Sequence, residues 1–152
     1  IPNNLLLLGY GHHQLGQLEK AEDFFRESLA FNEPTTNFES ATYLGIIYIE
    51  KQINPEVQHY LDLAINLCQQ ALEISSEDQD YLRVLGLALL AKGKTAESIS
   101  VYRKFLIICS DRDAKKQALM DLSLLNRAAP NITGLFEVRT LLNEAMAREP
   151  IS

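Results

Sequence analysis

The sequence has no tryptophan, and among its 152 residues there are only two cysteines. Two cysteines are too few for a disulfide scaffold. Cys68 and Cys109 both lie within apolar helical segments, where cysteine usually behaves as a small buried hydrophobe. We therefore expect a reducing compartment and a cytoplasmic location. The sequence begins at Ile1, so any targeting segment would lie outside it.

Basic residues are also scarce. Fourteen Lys and Arg face twenty Asp and Glu, which gives a net charge of −6 and a pI near 5.0. This balance argues against nucleic acid and anionic membranes as partners, because both attract basic surfaces. The longest apolar runs, Leu5–Leu8 and Leu85–Ala91, are far shorter than the ~20 residues that cross a bilayer. We expect protein partners, no nucleic acid and no membrane insertion.

Motifs of catalysis and metal binding are missing as well. The sequence has no glycine-rich phosphate loop and no nucleophile elbow. His12 and His13 are adjacent, so on a helix they point about 100° apart and cannot bind one ion together. Residues 111–121 lack the glycine and the spacing of a calcium loop. We predict that the protein is not an enzyme and holds no cofactor or metal.

What the sequence does contain is a repeated Leu-Gly pair. The three pairs are Leu8-Gly9, Leu44-Gly45 and Leu85-Gly86. Three residues after each glycine stands His12, Tyr48 or Leu89. Recurrence at intervals of this length is the signature of a helical repeat.

The first and third segments continue in step beyond the glycine. Twelve residues after the glycine stands Ala21 in the first segment and Ser98 in the third. Four residues further on stand Phe25 and Tyr102. In the second segment we assign the matching pair to Ala64 and Cys68, which arrive seven residues late. The turn glycines Gly16 and Gly93 also coincide.

These glycines have a common physical explanation. A glycine within a helix costs about 1 kcal/mol relative to alanine. We infer that the partner helix approaches too closely for a side chain, and that Ala21, Ala64 and Ser98 serve the same purpose from the second helix. Phe25, Cys68 and Tyr102 would then fill the layer between pairs. The alternative is a generic amphipathic bundle with accidental Leu-Gly dipeptides.

This pattern resembles the tetratricopeptide repeat, which runs W-x2-L-G-x2-Y, then A-x3-F, then P. The resemblance implies an all-α, right-handed superhelical stack of antiparallel helix pairs in a single domain, 1–152. Its repeats would span about 2–35, 38–76 and 79–110, with a degenerate pair at 111–150. The sequence departs from the pattern in lacking the tryptophan and the closing proline. Predicted helices are 3–15, 18–31, 38–51, 55–74, 79–92, 95–109, 113–127 and 134–148.

The resemblance also implies a binding groove, because the first helices of successive pairs line a concave surface in this family. The groove positions are Leu6, Tyr10, His13, Glu39, Tyr43, Ile46, Ile49, Glu50, Arg83, Val84, Leu87 and Leu90. Apolar residues form the centre and acidic residues the edges. Arg83 is a lone cation, so the clamp that holds chaperone tails in this family is missing. We predict a scaffold or adaptor that binds a peptide or an amphipathic helix.

Two alternatives stay open at this point. The protein could be a small dedicated chaperone for hydrophobic client segments, similar to secretion chaperones. The groove could also be covered by the chain's own last helix rather than by a partner. Either way, Leu5–Leu8 would surround the first helix with apolar side chains. We expect upstream repeats, a homodimer or a groove ligand to cover that helix.

Overall fold

A computed structural model of the chain describes residues 1–150, and within this range the protein has eight α-helices and no strand. The all-α prediction is confirmed, and each predicted helix is present with its ends within one residue of the expected position. The helices are α1 (Pro2–Gln14), α2 (Leu18–Ala30), α3 (Asn37–Lys51), α4 (Asn54–Ile74), α5 (Gln79–Ala91), α6 (Thr95–Ile108), α7 (Arg112–Ala128) and α8 (Leu135–Ala147).

Local sequence explains where several helices begin. The Asp78 carboxylate accepts hydrogen bonds from the backbone N–H groups of Asp80 and Tyr81 at the start of α5. Asp111 does the same for Asp113 at the start of α7. These aspartates satisfy N–H groups that have no partner inside the helix. The acidic segments therefore end one helix pair and begin the next.

Consecutive helices form three pairs, α1–α2, α3–α4 and α5–α6, and each pair packs on the next through α2–α3 and α4–α5 contacts. The Leu-Gly glycines lie where the two helices of a pair meet. A Cβ atom at Gly9 would lie 2.8 Å from the Phe25 ring, and one at Gly86 would lie 2.8 Å from the Tyr102 ring. These distances leave no room for a side chain.

The second pair corrects one assignment made from the sequence. A Cβ atom at Gly45 would lie 2.5 Å from Leu61 Cδ2, so Leu61 is the counterpart of Phe25 and Tyr102. Leu61 follows its glycine by sixteen residues, as those two aromatic residues do. The predicted seven-residue delay to Ala64 and Cys68 is therefore wrong.

Ala64 and Cys68 instead belong to a second buried cluster, together with Leu85 and Ala88 of α5. The same cluster contains Phe38 and Ala41 of α3, so Ala64 and Cys68 lie where their own helix pair meets the next one. The extra length of α4 lies at its C-terminal end, because α2, α4 and α6 each begin nine residues after their glycine. The second pair thus has the same internal register as the other two.

The turn inside each pair is also equivalent. Gly16 and Gly93 have φ angles of 77° and 89°, in the left-handed region that glycine occupies easily. Gln52 stands at the same place in the second pair and has a φ of 62°. A non-glycine residue here shows that the turn geometry is imposed by helix packing, against a local conformational cost.

The seventh helix closes the concave side, and the eighth packs beside it. α7 packs against α3, α5 and α8, and α8 packs against α6. Residues of α7, including Ala118, Leu122 and Leu125, share one buried cluster with residues from the three pairs. α7 therefore lies along the surface formed by the first helices of the pairs.

Candidate functional site

The concave surface is the candidate site, and α7 occupies it. Leu6, Ile46, Leu87 and Leu90 are buried in the same cluster as the apolar side of α7. Ile49 is half-buried against that cluster. The chain itself therefore covers the groove, as in the alternative left open by the sequence, but the covering helix is α7 and not the last helix, α8.

One carboxylate on α7 joins all three first helices. Asp121 is only 1% exposed. Its Oδ1 accepts hydrogen bonds from Tyr10 Oη of α1 at 3.3 Å and from Tyr43 Oη of α3 at 2.8 Å. Its Oδ2 accepts one from Arg83 Nη1 of α5 at 2.5 Å. Gln117, one turn earlier on α7, donates to Oδ1 at 3.0 Å.

The charged groups in this cluster are paired with one another, with Arg83 between two carboxylates. Arg83 is 4% exposed and also forms an ion pair with Glu39 at 3.1 Å. Burial opposes the charge of the Arg83 guanidinium, but Asp121 and Glu39 outweigh it and raise the Arg83 pKa well above its ordinary value. Burial raises the pKa of Glu39, against the attraction of Arg83. A buried charge of this kind is tolerated only when it is paired.

The two tyrosines in the cluster act as hydrogen-bond donors. Burial and the Asp121 charge raise the pKa values of Tyr10 and Tyr43. Both hydroxyls therefore stay protonated at neutral pH and donate to the carboxylate. The Tyr10 and Tyr43 rings also contact each other edge-on, with centroids 5.2 Å apart.

Further polar contacts hold the two ends of α7. Near its C-terminal end, Arg127 Nε donates to Glu50 Oε1 at 3.2 Å. The same guanidinium donates to the backbone oxygens of His13 and Gln14 at the end of α1. Near the N-terminal end, Lys115 and Arg112 pair with Glu149. One end of α7 is thereby held to α1 and α3, and the other end to the segment that follows α8.

The remaining predicted groove residues divide into two groups. His13 is buried beside the end of α7, and Glu39 and Glu50 form the ion pairs described above. Val84 is different, because it lies in the second cluster with Phe38 and Ala41, between α3 and α5. Its assignment to the groove is therefore wrong.

The sequence pattern also missed residues that matter at this site. Asp121, Gln117 and Arg127 all lie on α7, in the part of the chain that follows the repeat motif poorly. One signal was present in the sequence. Asp121 is a single acidic residue within an otherwise apolar helix face of alanine and leucine, and Arg83 is a single cation on the facing surface.

These features define a helical-repeat protein with a filled concave surface. Residues 3–34, which form α1, α2 and the turn to Pro34, match the family model described as tetratricopeptide repeat. The recognition made from the sequence is therefore confirmed for the first helix pair, which matches a tetratricopeptide repeat. Repeats of this kind are scaffolds for protein interaction, with an extended concave surface.

Solved structures that are similar to the chain include two proteins. MamA of AMB-1 is 21% identical over 99% of this chain and 80% of its own, with a TM-score of 0.41. TTC0263, a thermophilic TPR protein of Thermus thermophilus, is 14% identical over 97% of this chain and 100% of its own, with a TM-score of 0.40. No curated protein matches the sequence. No helix among residues 1–150 is long and apolar enough to cross a membrane.

Proposed function

We propose that this protein is an interaction module whose concave surface binds an amphipathic helix of a partner protein, in exchange for its own α7. The observation that carries the proposal is the seating of α7, in which one buried carboxylate takes hydrogen bonds from all three first helices. A surface that already holds one helix in this way has the shape and the chemistry to hold another.

The contacts of α7 define the chemistry of the partner helix. Along α7 the buried residues on one side of the helix are Ala114, Ala118, Asp121, Leu122 and Leu125. These positions are three or four residues apart and share one helix face. The partner would therefore carry small residues in its first turns, then a carboxylate, with leucine directly after it and again three residues later.

The carboxylate is the specific part of this recognition. Tyr10, Tyr43 and Arg83 all donate toward one point. A helix without an acceptor there would leave the two tyrosine hydroxyls without this partner and Arg83 with Glu39 alone. Each unpaired buried group costs about 1–3 kcal/mol, and more when it is charged. An apolar helix alone would thus bind poorly.

α7 is part of the same chain, so it competes with any partner. Tethering gives α7 a high effective concentration at the groove. A partner's apparent affinity is therefore its intrinsic affinity multiplied by the fraction of molecules in which the groove is free.

We also predict that the protein catalyses no reaction and lies in the cytoplasm. Both cysteines are free, and burial raises the pKa of Cys68 to about 12, so this thiol stays protonated at neutral pH.

A labelled peptide of residues 111–128 tests the proposal by fluorescence anisotropy. The full chain with Leu122→Ala and Leu125→Ala has a weakened α7 but an unchanged groove. We expect this variant to bind the peptide at least tenfold more tightly than the parent does. Leu125→Ala alone is a milder variant. Met120→Ala is the matched control, because Met120 lies on the exposed side of α7.

The peptide itself supplies the second control. A peptide with Asp121→Ala lacks the acceptor for Arg83 and the two tyrosines, so its binding should be lost. Equal binding of both peptides would show that the carboxylate is not recognised. If neither weakened variant binds the parent peptide while its helical content is retained, the concave surface is not a binding site for such a helix.

A further inference from the structure

The first helix carries a second exposed surface, separate from the groove. We call it the α1 outer face, and it consists of Ile1, Asn4, Leu7, Leu8, Gly11 and Leu15. Leu7, Leu8 and Leu15 are 62%, 48% and 73% exposed. Leu6, by contrast, is buried in the core, so the four consecutive leucines are divided between the two sides of the helix.

The repeat explains why this face is apolar. Thirty-six residues further on, the equivalent positions of α3 include Tyr43, Leu44 and Ile47, and all three are buried. α3 uses this side to pack on α2, as the contact between Ser40 and Ser28 and the Phe25–Tyr43 ring contact demonstrate. The α1 outer face therefore has the composition of a helix-packing surface.

Gly11 provides an independent indication that a helix approaches this face. A Cβ atom at Gly11 would meet no atom within 4 Å, so the fold of the single chain gives no reason for a glycine there. Gly9, on the other side of α1, is explained by the Phe25 ring. A glycine within a helix is unfavourable relative to alanine unless something else requires it. Close approach of another backbone is such a requirement.

Charge indicates what kind of helix would cover the α1 outer face, because the helices that pack on one another within the stack form ion pairs at this position. At the end of α3, Lys51 pairs with Glu19 and Glu22 of α2, and at the end of α5, Lys92 pairs with Asp62 of α4. The equivalent position of α1 is Leu15. No charged side chain occurs before Glu19. The occupant is therefore an uncharged apolar helix rather than an acidic helix like α2 or α4.

We infer that the occupant is the α1 outer face of a second copy of this chain, packed antiparallel about a twofold axis. Leu8 protrudes from the face, and Gly11, three residues later, leaves a depression beside it. In an antiparallel pair, Leu8 of each copy can enter the depression at Gly11 of the other. A surface that fits itself in this way forms a closed dimer. Such a dimer places the two concave surfaces on one assembly.

Sedimentation velocity over a wide concentration range tests this interface. The parent chain should pass from monomer to dimer as its concentration rises. Gly11→Gln fills the depression with a good helix former, and Leu8→Glu places a charge in the contact. Each substitution should raise the dissociation constant of the dimer at least tenfold. At low concentration the thermal midpoint of Leu8→Glu should stay unchanged, and that of Gly11→Gln should stay unchanged or rise.

Ile107→Glu is the matched control. Ile107 is 84% exposed and lies at the other end of the stack, on α6, so its replacement should leave the dimer intact. A parent chain that is monomeric at every concentration overturns the inference. A dimer that persists in both α1 variants, or one that is lost equally in Ile107→Glu, overturns it too, because the contact would then lie elsewhere.

Discussion

Gly45 and Gly86 have little freedom to change. A side chain at either position would run into Leu61 or Tyr102 on the partner helix. We expect Gly45→Leu and Gly86→Leu each to lower the free energy of unfolding by more than about 2 kcal/mol, through overpacking and strain. Urea titration followed by circular dichroism measures this change.

Gly11→Leu is the matched control for these variants. It introduces the same side chain into the same type of helix, but at a position with open space around it. At low concentration its unfolding free energy should be equal to that of the parent or higher, because leucine is the better helix former. Equal losses at all three positions would show that close approach does not explain these glycines.

His13 makes stability depend on pH. Its ring is buried without a hydrogen-bond partner for either nitrogen. Burial, together with the nearby Arg127 charge, lowers the His13 pKa from 6.5 to about 3. Between these values the unfolded chain binds the proton more strongly than the folded protein does. The contribution to stability is therefore complete above pH 6.5 and is lost as the pH falls toward 3.

Replacing the ring tests this pH dependence. Between pH 7.5 and 5.5 the unfolding free energy of the parent should fall by roughly 1.4 kcal/mol more than that of His13→Leu. Urea titrations of the two proteins at matched pH values give the difference. Parallel profiles over this range would mean that His13 is protonated as easily in the folded protein as in the unfolded chain.

At the scale of a single element, α7 is the most consequential part of the chain. Its apolar side and its one buried carboxylate bind the surface that the first helices present. Its opposite side is exposed at Lys116, Met120 and Ser123. This division predicts that the effect of a substitution in α7 depends on which side of the helix it lies.

Asp121→Ala tests how strongly this element is held. The substitution leaves Arg83 in a buried site with Glu39 as its remaining close partner, and it removes the acceptor of two tyrosine hydroxyls. Breaking a buried pair of this kind costs about 3–5 kcal/mol. Thermal unfolding should show that Asp121→Ala is clearly less stable than the parent. Ser123→Ala, on the exposed side of α7, should have the same stability as the parent. A loss below about 1 kcal/mol would indicate that water satisfies Arg83 once Asp121 is gone.

At the scale of the whole molecule, local pattern was sufficient to predict all eight helices that the structure describes within residues 1–150. Their ends are set by residues next to them in the sequence, such as Pro55 in the first turn of α4 and the capping residue Asp111. Pattern failed in the second pair because Ala64 and Cys68 resemble the motif more closely than Val57 and Leu61 do. The correct register depends on which residue meets Gly45, and this is a contact between helices.

The closed groove was beyond the reach of local pattern for a similar reason. The sequence left open whether a partner or the last helix covers the concave surface. What decides between them is the match of Asp121 to Tyr10, Tyr43 and Arg83, residues that lie 111, 78 and 38 positions away in the chain. Periodicity within a helix carries no information about such distant pairs.

These same long-range bonds have a consequence for how the molecule folds. An ordinary solenoid has contacts only between neighbouring repeats, so it can fray from one end while the rest stays folded. Here α7 bonds α1, α3 and α5 together, so no helix pair can open without disturbing the others. The protein is therefore built to unfold as one cooperative unit. The high contact order of the α7 contacts implies that the concave surface closes late and slowly during folding.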